Sequence, residues 1–184
     1  MVGSSAKNAG PYKQYLGQTA YTLSTIVEIY KREQGLYKID IEDGTHILND
    51  VETQYMSIYN GKFGGGRIML NPLGIINDGY MELTFNRGFQ TFPSAMSLFN
   101  GAKAGGLQFY DNDFVCYRCK KVKLENMKVD EKGQKVMQDI NIDGEDLEFR
   151  NFAKYEVMPS ELEVIVDLEY IINKTYIAKE EDHL

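Results

Sequence analysis

The sequence contains no tryptophan, only two cysteines and two histidines, and no long apolar run among its 184 residues. The lack of tryptophan argues against a carbohydrate-binding function, because sugar-binding sites often stack sugars on indole rings. Tyrosine could take the place of tryptophan in such a site. Without about 18 consecutive apolar residues, no segment is expected to span a membrane as a helix, and the N-terminal residues lack the apolar core of a signal peptide. The net charge of −7 argues against a nucleic-acid-binding surface, which needs clustered Lys and Arg.

The two cysteines, Cys116 and Cys119, form a single Cys-x-x-Cys pair. A structural zinc site needs four ligands, and the sequence offers no second such pair and only His46 and His183 besides. On a strand, residues three apart point to opposite faces. We therefore expect two reduced, partly buried thiols, in keeping with a cytosolic protein.

The densest basic stretch runs from Arg118 to Lys123, inside an alternating pattern that extends from Val115 to Leu124. Two interpretations are open. Lysines commonly protect an exposed edge strand from pairing with other chains, and clustered cations can also contact phosphate or anionic lipid. The edge strand is the favoured interpretation.

Length and composition predict one domain over residues 1–184, large enough to bury roughly 70% of the surface of its unfolded chain. A helix is predicted from Gln18 to Gln34, with Ala20, Leu23, Val27 and Tyr30 at helical spacing on one face. A second helix is predicted to start with Pro93 at its first position and to end at Asn100-Gly101.

Elsewhere the hydrophobic pattern has a period of two, which is typical of strands. Asx-Gly turns separate the alternating runs; they lie at Asp43-Gly44, Asn60-Gly61, Asp78-Gly79 and Asp143-Gly144. Many short alternating strands with such turns favour an antiparallel β-sandwich or barrel. The predicted fold is therefore mainly β with one or two helices, as an antiparallel β-sandwich.

The segment from Asn60 to Glu82 is rich in glycine, with Gly64-Gly65-Gly66 inside strand-like sequence. Glycine allows a close approach of another backbone. The segment resembles a phosphate-binding loop in composition, but it lacks the helix start and the lysine that such a loop uses. A scaffold role is therefore the better interpretation of this segment.

Taken in order, these motifs resemble the C-terminal half of the diacylglycerol kinase and sphingosine kinase superfamily. The matching segments are Leu16-Gly17-Gln18-Thr19-Ala20-Tyr21, Asn60-Gly61 with Gly64-Gly65-Gly66, Pro72 with Asn77-Asp78-Gly79, and Asp143-Gly144-Glu145 with Pro159. The resemblance covers about residues 14 to 167, and the order and spacing of the motifs make it specific. These residues do not distinguish the diacylglycerol kinase branch of the superfamily from the sphingosine kinase branch.

The resemblance implies a two-domain lipid kinase whose second domain is a β-sandwich that holds much of the lipid site. The nucleotide loop of the family's first domain, Gly-Gly-Asp-Gly, does not occur in this sequence. The chain is therefore expected to be an isolated second domain, catalytically inert alone. The complete enzyme would use ATP and Mg²⁺ to phosphorylate a sphingoid base or diacylglycerol in the cytoplasm, with peripheral contact to membranes.

The resemblance also implies the candidate site. Glu145 would face the nucleotide phosphates and the metal, Asp143 would join the acid–base network at the lipid hydroxyl, and Gly144 would let the nucleotide approach the backbone. The alternative is an ordinary hairpin turn with a solvated Glu145.

Two further assignments have alternatives. In some relatives the aspartate equivalent to Asp78 binds a structural Mg²⁺, whereas an Asx-turn is the simpler role here, since no second carboxylate lies in its loop. A set of apolar residues could line an acyl-chain pocket or belong to an ordinary core helix; it comprises Phe89, Phe92, Met96, Leu98, Phe99, Leu107 and Phe109.

Overall fold

The computed structural model describes residues 34–64, 68–88, 91–143 and 145–159, together with single positions between 11 and 30. It is mainly β, and its strands form antiparallel sheets. In chain order the strands are β1 (Gly35–Ile41), β2 (His46–Thr53), β3 (Met56–Tyr59), β4 (Phe63–Gly64), β5 (Ile68–Met69), β6 (Met81–Asn86), β7 (Phe114–Cys119), β8 (Lys121–Asn126), β9 (Gln138–Ile142), β10 (Glu145–Phe149) and β11 (Phe152–Glu156). A helix, α1 (Phe92–Lys103), and a 3-10 helix (Leu107–Tyr110) lie between β6 and β7.

Two larger sheets build the sandwich. One has the strand order β11-β8-β1-β2 and the other the order β3-β6-β7, while β4-β5 and β9-β10 form two-stranded sheets. The core cluster draws on both larger sheets: Ile39, Ile41, Met81, Leu83, Phe85, Cys119, Val122 and Leu124. The predicted mainly β, sandwich-like fold is therefore confirmed.

Strand β1 shows how the period-two pattern produces this core. Ile39 and Ile41 are buried, with 0% and 2% of their surface exposed, while Lys38 and Asp40 alternate with them. In the register with β8, Ile39 lies opposite Leu124 and Ile41 opposite Val122. Residues directly opposite on antiparallel strands share a face. The alternation therefore places all four side chains in the core.

The prediction of one strand from Val115 to Leu124 was wrong. The chain leaves the three-stranded sheet after Cys119 and joins the four-stranded sheet at Lys121. The Glu42 carboxylate accepts a hydrogen bond from the backbone N–H of Lys120, and the Lys120 carbonyl accepts one from Val157 at 2.9 Å. The corner is fixed by long-range contacts, which a local pattern does not reveal.

The basic stretch consequently lies on two strands with different positions. Strand β7 is an edge strand among the described residues, as predicted, but β8 is an interior strand between β11 and β1. Lys121 contacts the carboxylates of Asp43 at 3.3 Å and Glu156 at 3.2 Å, and Lys123 lies over the Phe152 ring. These cations contact groups of the chain itself.

Helix α1 begins at Phe92, one residue before the predicted start at Pro93, and ends later than predicted. The Thr91 hydroxyl accepts a hydrogen bond from the Ser94 backbone N–H, and Pro93 occupies the first turn. The helix passes through Asn100-Gly101 and ends at Lys103. A Cβ on Gly101 would lie 2.7 Å from the Gln108 nitrogen. Gly101 therefore permits close packing of the 3-10 helix and does not terminate α1.

The predicted N-terminal helix is described at single positions. Ala20, Leu23, Val27 and Tyr30 are helical, and so are Pro11, Tyr12, Gln14 and Tyr15, which precede the predicted start. Of the predicted apolar face, Ala20 is buried, whereas Leu23 and Val27 are about half exposed and Tyr30 is 81% exposed. The alternating pattern from Leu162 to Val166 also predicts a strand, but this segment and the C-terminal tail lie outside the described residues.

Truncation of Leu83 tests the position of the core. Leu83 is fully buried on β6, so Leu83→Ala is expected to lower the free energy of unfolding by about 2–5 kcal/mol through lost burial and the cavity left behind. The measurement is equilibrium denaturation in urea. Leu147→Ala is the matched control, because Leu147 is 48% exposed on β10 and its loss should cost under about 1 kcal/mol. Equal effects of the two variants would contradict the assigned core.

Candidate functional site

The carboxylates of the predicted site lie at the turn between β9 and β10. Asp143 has a positive φ of 51°, which Asp tolerates better than most residues. Glu145 opens β10 and pairs with Ile142 across the hairpin. Both Asp143 and Glu145 are exposed, and Gly144 lies outside the described residues. The turn therefore offers two carboxylates to an external ligand, but their assignment as site residues stays a prediction.

Tyr59 connects this turn with the glycine-rich segment. Burial raises the pKa of Tyr59, and the charge of Asp143 raises it further. A Cβ placed on Gly64 would lie 3.1 Å from the Tyr59 hydroxyl, so the missing side chain at Gly64 leaves room for the phenol. Tyr59 is thus influenced by the charge of Asp143 and packs against Gly64, two residues that are far apart in sequence. Tyr59 was not predicted from the sequence to lie near the site, because no local pattern distinguishes it from the other tyrosines.

The three-stranded sheet has one apolar and one polar face, and both are buried at β6. All six residues of β6 are buried. Met81, Leu83 and Phe85 face the core, and Glu82, Thr84 and Asn86 form the opposite face. The alternating pattern therefore predicts correctly which residues of β6 share a face, but the polar face does not lie against solvent.

A chain of hydroxyl groups stabilises this polar face. The Ser57 and Thr84 hydroxyls are hydrogen-bonded at 2.6 Å, and the Tyr55 hydroxyl contacts Ser57 Oγ at 2.8 Å. Asn86 Oδ1 accepts the backbone N–H of Tyr55 at 2.8 Å, and its amide nitrogen donates to the Gly88 carbonyl at 3.1 Å. Buried polar groups are costly unless they are hydrogen-bonded, and these partners offset that cost.

Glu82 is the fully buried carboxylate of this face. Its Oε2 accepts a hydrogen bond of 2.7 Å from Asn71 Nδ2, and Asn71 is itself fully buried. Among the described residues, Glu82 Oε1 and Asn71 Oδ1 have no hydrogen-bond partner. Burial raises the pKa of Glu82; the Asn71 hydrogen bond and Arg118 lower it, and Asp78 raises it. A charged group that alternates with apolar residues gave no sign of burial in the sequence.

Asp78 lies beside this buried carboxylate. Its Oδ1 accepts the Tyr80 backbone N–H at 2.9 Å, which is the hydrogen bond of an Asx-turn. Its Oδ2 is paired with Arg118 Nη2. Within the described part of the chain, no group of three or more His, Cys, Asp or Glu residues is arranged to hold a metal ion. The residues around Asp78 do not fit a structural Mg²⁺, because both carboxylate oxygens are engaged and a guanidinium lies next to them.

The two cysteines have the predicted character. Cys116 and Cys119 are free, with Cys119 fully buried in the core and Cys116 partly buried. Burial is the main cause that raises the pKa of Cys116 to about 12 and that of Cys119 to about 11. Both thiols are therefore protonated near neutral pH, and they are poor nucleophiles.

The glycine-rich segment acts through close packing in its described part. A Cβ on Gly74 would lie 2.7 Å from the Gly61 carbonyl carbon and oxygen and 2.8 Å from Asn71 Nδ2. The Gly74 N–H donates to the Asn71 carbonyl, and the Asn71 N–H donates to the Lys62 carbonyl, each at 3.1 Å. These contacts hold Asn71 against Glu82. Gly65 and Gly66 lie outside the described residues.

The predicted acyl-chain residues are not part of the main core. Met96, Leu98, Phe99 and Phe109 are partly buried, while Phe92 and Leu107 are 45% and 55% exposed. Phe109 packs on Phe114 with ring centroids 5.2 Å apart, and Phe89 lies outside the described residues. Helix α1 is thus a surface element with a partly exposed apolar side. No helix among the described residues is long and apolar enough to cross a membrane.

Comparison with known proteins relates this fold to lipid kinases. No family model matches the chain, and no curated protein is similar to it in sequence. Two solved structures from Bacillus anthracis strain Sterne, each assigned as a diacylglycerol kinase, are similar in fold. One has 19% identity and a TM-score of 0.52 over 83% of this chain and 49% of its own; the other has 19% identity and a TM-score of 0.55 over 80% and 46%.

The motif-based resemblance is therefore confirmed at the level of the fold. The chain spans about half the length of the solved structures that it matches. At this identity the likeness concerns the fold alone.

The packing role of Gly74 can be tested by adding a single methyl group. Gly74→Ala is expected to lower the free energy of unfolding by about 1–3 kcal/mol, since its Cβ would clash with the Gly61 backbone. Gly61→Ala is the matched control: within the described part of the chain its Cβ would meet Ile76 Cγ1 alone, at 3.7 Å, so the change should stay within about 1 kcal/mol. The measurement is equilibrium denaturation. A neutral Gly74→Ala would contradict the close approach of these two loops.

Proposed function

We propose that this chain is the C-terminal, lipid-binding half of an ATP-dependent kinase that phosphorylates a lipid hydroxyl, on a sphingoid base or on diacylglycerol. The observation that supports this most strongly is the convergence of two separate motifs. The charge of Asp143 raises the pKa of Tyr59, and Gly64 of the glycine-rich segment packs against the same tyrosine. The sandwich that carries both motifs has the fold of proteins assigned as diacylglycerol kinases.

The chemistry of phosphoryl transfer suits two exposed carboxylates. Such reactions depend on positioning and on neutralising charge more than on covalent help from the protein. In the proposed enzyme Asp143 orients the lipid hydroxyl or accepts its proton, and Glu145 holds the Mg²⁺ that accompanies ATP, with Gly144 allowing the phosphates to approach. Carboxylate oxygens are the ligands that Mg²⁺ prefers, and the Mg²⁺ neutralises charge on the phosphates.

The nucleotide site belongs to another domain in this proposal. The chain covers about half of the matched structures, and its sequence has no Gly-Gly-Asp-Gly or Walker-type loop. ATP would therefore bind mainly to a domain outside these 184 residues. The exposed position of Asp143 and Glu145 suits a site that is completed only when a second domain lies against it.

The lipid tail is proposed to lie against the apolar side of α1 and the following 3-10 helix. Met96 and Phe99 are partly buried there, and Leu107 is exposed. Each methylene of an acyl chain gains roughly 0.8 kcal/mol on burial, so a short groove suffices for affinity. The enzyme would work in the cytoplasm and contact membranes peripherally, at the surface that holds its substrate.

The alternative is a non-catalytic sandwich that binds a lipid or a protein partner. It would be favoured if the gene that encodes the chain contained no upstream Gly-Gly-Asp-Gly segment. The gene that encodes the chain separates the two functions, because a kinase requires a Gly-Gly-Asp-Gly segment in the same protein or in a dedicated partner.

The isolated chain is expected to fold and to be catalytically inert. Incubated with radiolabelled ATP, Mg²⁺ and either sphingosine or diacylglycerol in mixed micelles, it should transfer no phosphate, because it lacks a nucleotide loop. Circular dichroism of the same sample would verify that it is folded. Phosphorylation of either lipid by this chain alone would show that the two-domain argument is wrong.

In the protein that includes the nucleotide-binding domain, Asp143→Asn and Glu145→Gln are each expected to lower kcat by about 100-fold or more, because a proton acceptor or a metal ligand is lost. The measurement is steady-state kinetics with the preferred lipid. Glu131→Gln is the matched control, since Glu131 lies exposed at a different turn and should have no effect. Retained activity in both site variants would remove Asp143 and Glu145 from the catalytic site.

A further inference from the structure

Arg118 lies between two acidic side chains. It is on β7, directly opposite Glu82 on β6, so the two side chains share a face of the sheet. Its Nη2 is paired with Asp78 Oδ2, and its Nε lies 3.9 Å from Glu82 Oε1. The guanidinium also lies over the Tyr80 ring, 4.6 Å from the centroid. The positive charge of Arg118 thus lies beside both the Asp78 carboxylate at the turn and the buried Glu82 carboxylate.

This pair of carboxylates needs a positive charge. The side chain of Glu82 is fully buried and that of Asp78 is only 16% exposed. Two carboxylates close together in a poorly solvated place repel each other, and proteins compensate with a cation or with protonation. Arg118 keeps contact with water, with 45% of its side chain exposed, and its guanidinium gains a cation–π contact with the Tyr80 ring.

Two of the oxygen atoms next to Arg118 are also those that a hard cation would use. Asp78 Oδ2 is paired with the guanidinium, and Glu82 Oε1 lies 3.9 Å from its Nε and has no hydrogen-bond donor among the described residues. The Asn71 amide, hydrogen-bonded to the other oxygen of Glu82, adds a buried oxygen, Oδ1, that also lacks a donor in this part of the structure. Divalent cations such as Mg²⁺ and Ca²⁺ prefer such ligands.

We propose that Arg118 is the built-in cation of this acidic pair and takes the place of a divalent metal ion. The chain therefore binds no Mg²⁺ at Asp78, and removal of Arg118 opens a divalent-cation site between the carboxylates of Asp78 and Glu82. This inference does not depend on the proposed kinase function. It concerns a structural site, separate from the carboxylates of the Asp143 turn.

Thermal unfolding of the unaltered chain is the first test. Its melting temperature is expected to be the same in Mg²⁺ and in EDTA at matched ionic strength, because a guanidinium already neutralises the pair. A saturable rise in melting temperature with Mg²⁺ that disappears in Asp78→Asn would overturn the proposal. This arm needs only the folded chain.

The second test replaces Arg118. Arg118→Met retains an apolar stem but removes the charge, and it should lower the melting temperature by about 5 °C or more, since two close carboxylates lose their counter-ion. Added Mg²⁺ or Ca²⁺ should then raise the melting temperature in a saturable way. The double variant Arg118→Met with Asp78→Asn should lose this response. Destabilisation without any cation response would overturn the proposal.

Lys121 provides the matched control. Like Arg118, it contacts two carboxylates, Asp43 and Glu156, but both are more than half exposed. Exposed ion pairs contribute little to stability, so Lys121→Met should change the melting temperature little and should gain no response to Mg²⁺. If Arg118→Met behaves like Lys121→Met, the special role of Arg118 is contradicted.

A third variant covers the case in which Arg118→Met fails to fold. Arg118→Lys keeps the charge but cannot hold both carboxylates through a planar guanidinium. It should remain folded, melt below the unaltered chain and show no response to Mg²⁺, because the ammonium still occupies the cation position. A stabilising Mg²⁺ response in Arg118→Lys would contradict that occupancy.

Discussion

The burial of strand β6 on both faces is the constraint on which the rest of the site depends. On one face, Leu83 packs into the core between the two larger sheets. On the other face, Glu82 and Thr84 are buried away from water. An apolar face needs only close packing, whereas a buried polar face needs a partner for each group. Those partners come from distant parts of the chain, and they determine where the surrounding loops lie.

Each partner fixes one loop against the sheet. Asn71 reaches Glu82 because the glycine-rich segment folds closely on itself at Gly74. Arg118 reaches from β7 to the Asp78 turn, so that turn is tied to the same face. Tyr59, opposite Glu82 on β3, lies close enough to Asp143 for that charge to raise its pKa. Both predicted acidic turns thus interact with residues of the three-stranded sheet: Asp78 with Arg118, and Asp143 with Tyr59.

The two acidic turns differ in what they can do chemically. Both oxygens of Asp78 are engaged, by the Tyr80 N–H and by Arg118, so this turn is a structural element with its own counter-ion. Asp143 and Glu145 are exposed at the hairpin tip. A carboxylate that is already paired inside the domain is a poor choice for an external ligand, while an exposed pair can meet a nucleotide, a metal or a second domain. The assignment of the Asp143 turn as the reactive one remains a prediction.

Local pattern predicted several strands, the turns and the fold class, although it did not show the break between β7 and β8. Alternation around Ile39 and Ile41, the Asx-Gly turns and the start of α1 next to Pro93 all depend on neighbours in sequence, so they could be predicted. The ordered motifs likewise indicated the family fold that the structural comparison supports. Asp143, Gly144 and Glu145 were found the same way, and their chemical role remains a prediction.

Only the tertiary structure decided the features that depend on residues far apart in the chain. The corner at Lys120 requires Glu42, and the extension of α1 through Gly101 requires the 3-10 helix against it. The burial of Glu82 and the pairing of Asp78 with Arg118 follow from sheet register, which places strands side by side regardless of their distance in sequence. From sequence alone, a charged residue that alternates with apolar ones is predicted to face solvent. Its burial becomes visible only when the residues that pack over it are known. For that reason the sequence identified the turns, while the contacts across the sheet distinguished the paired carboxylate from the exposed ones.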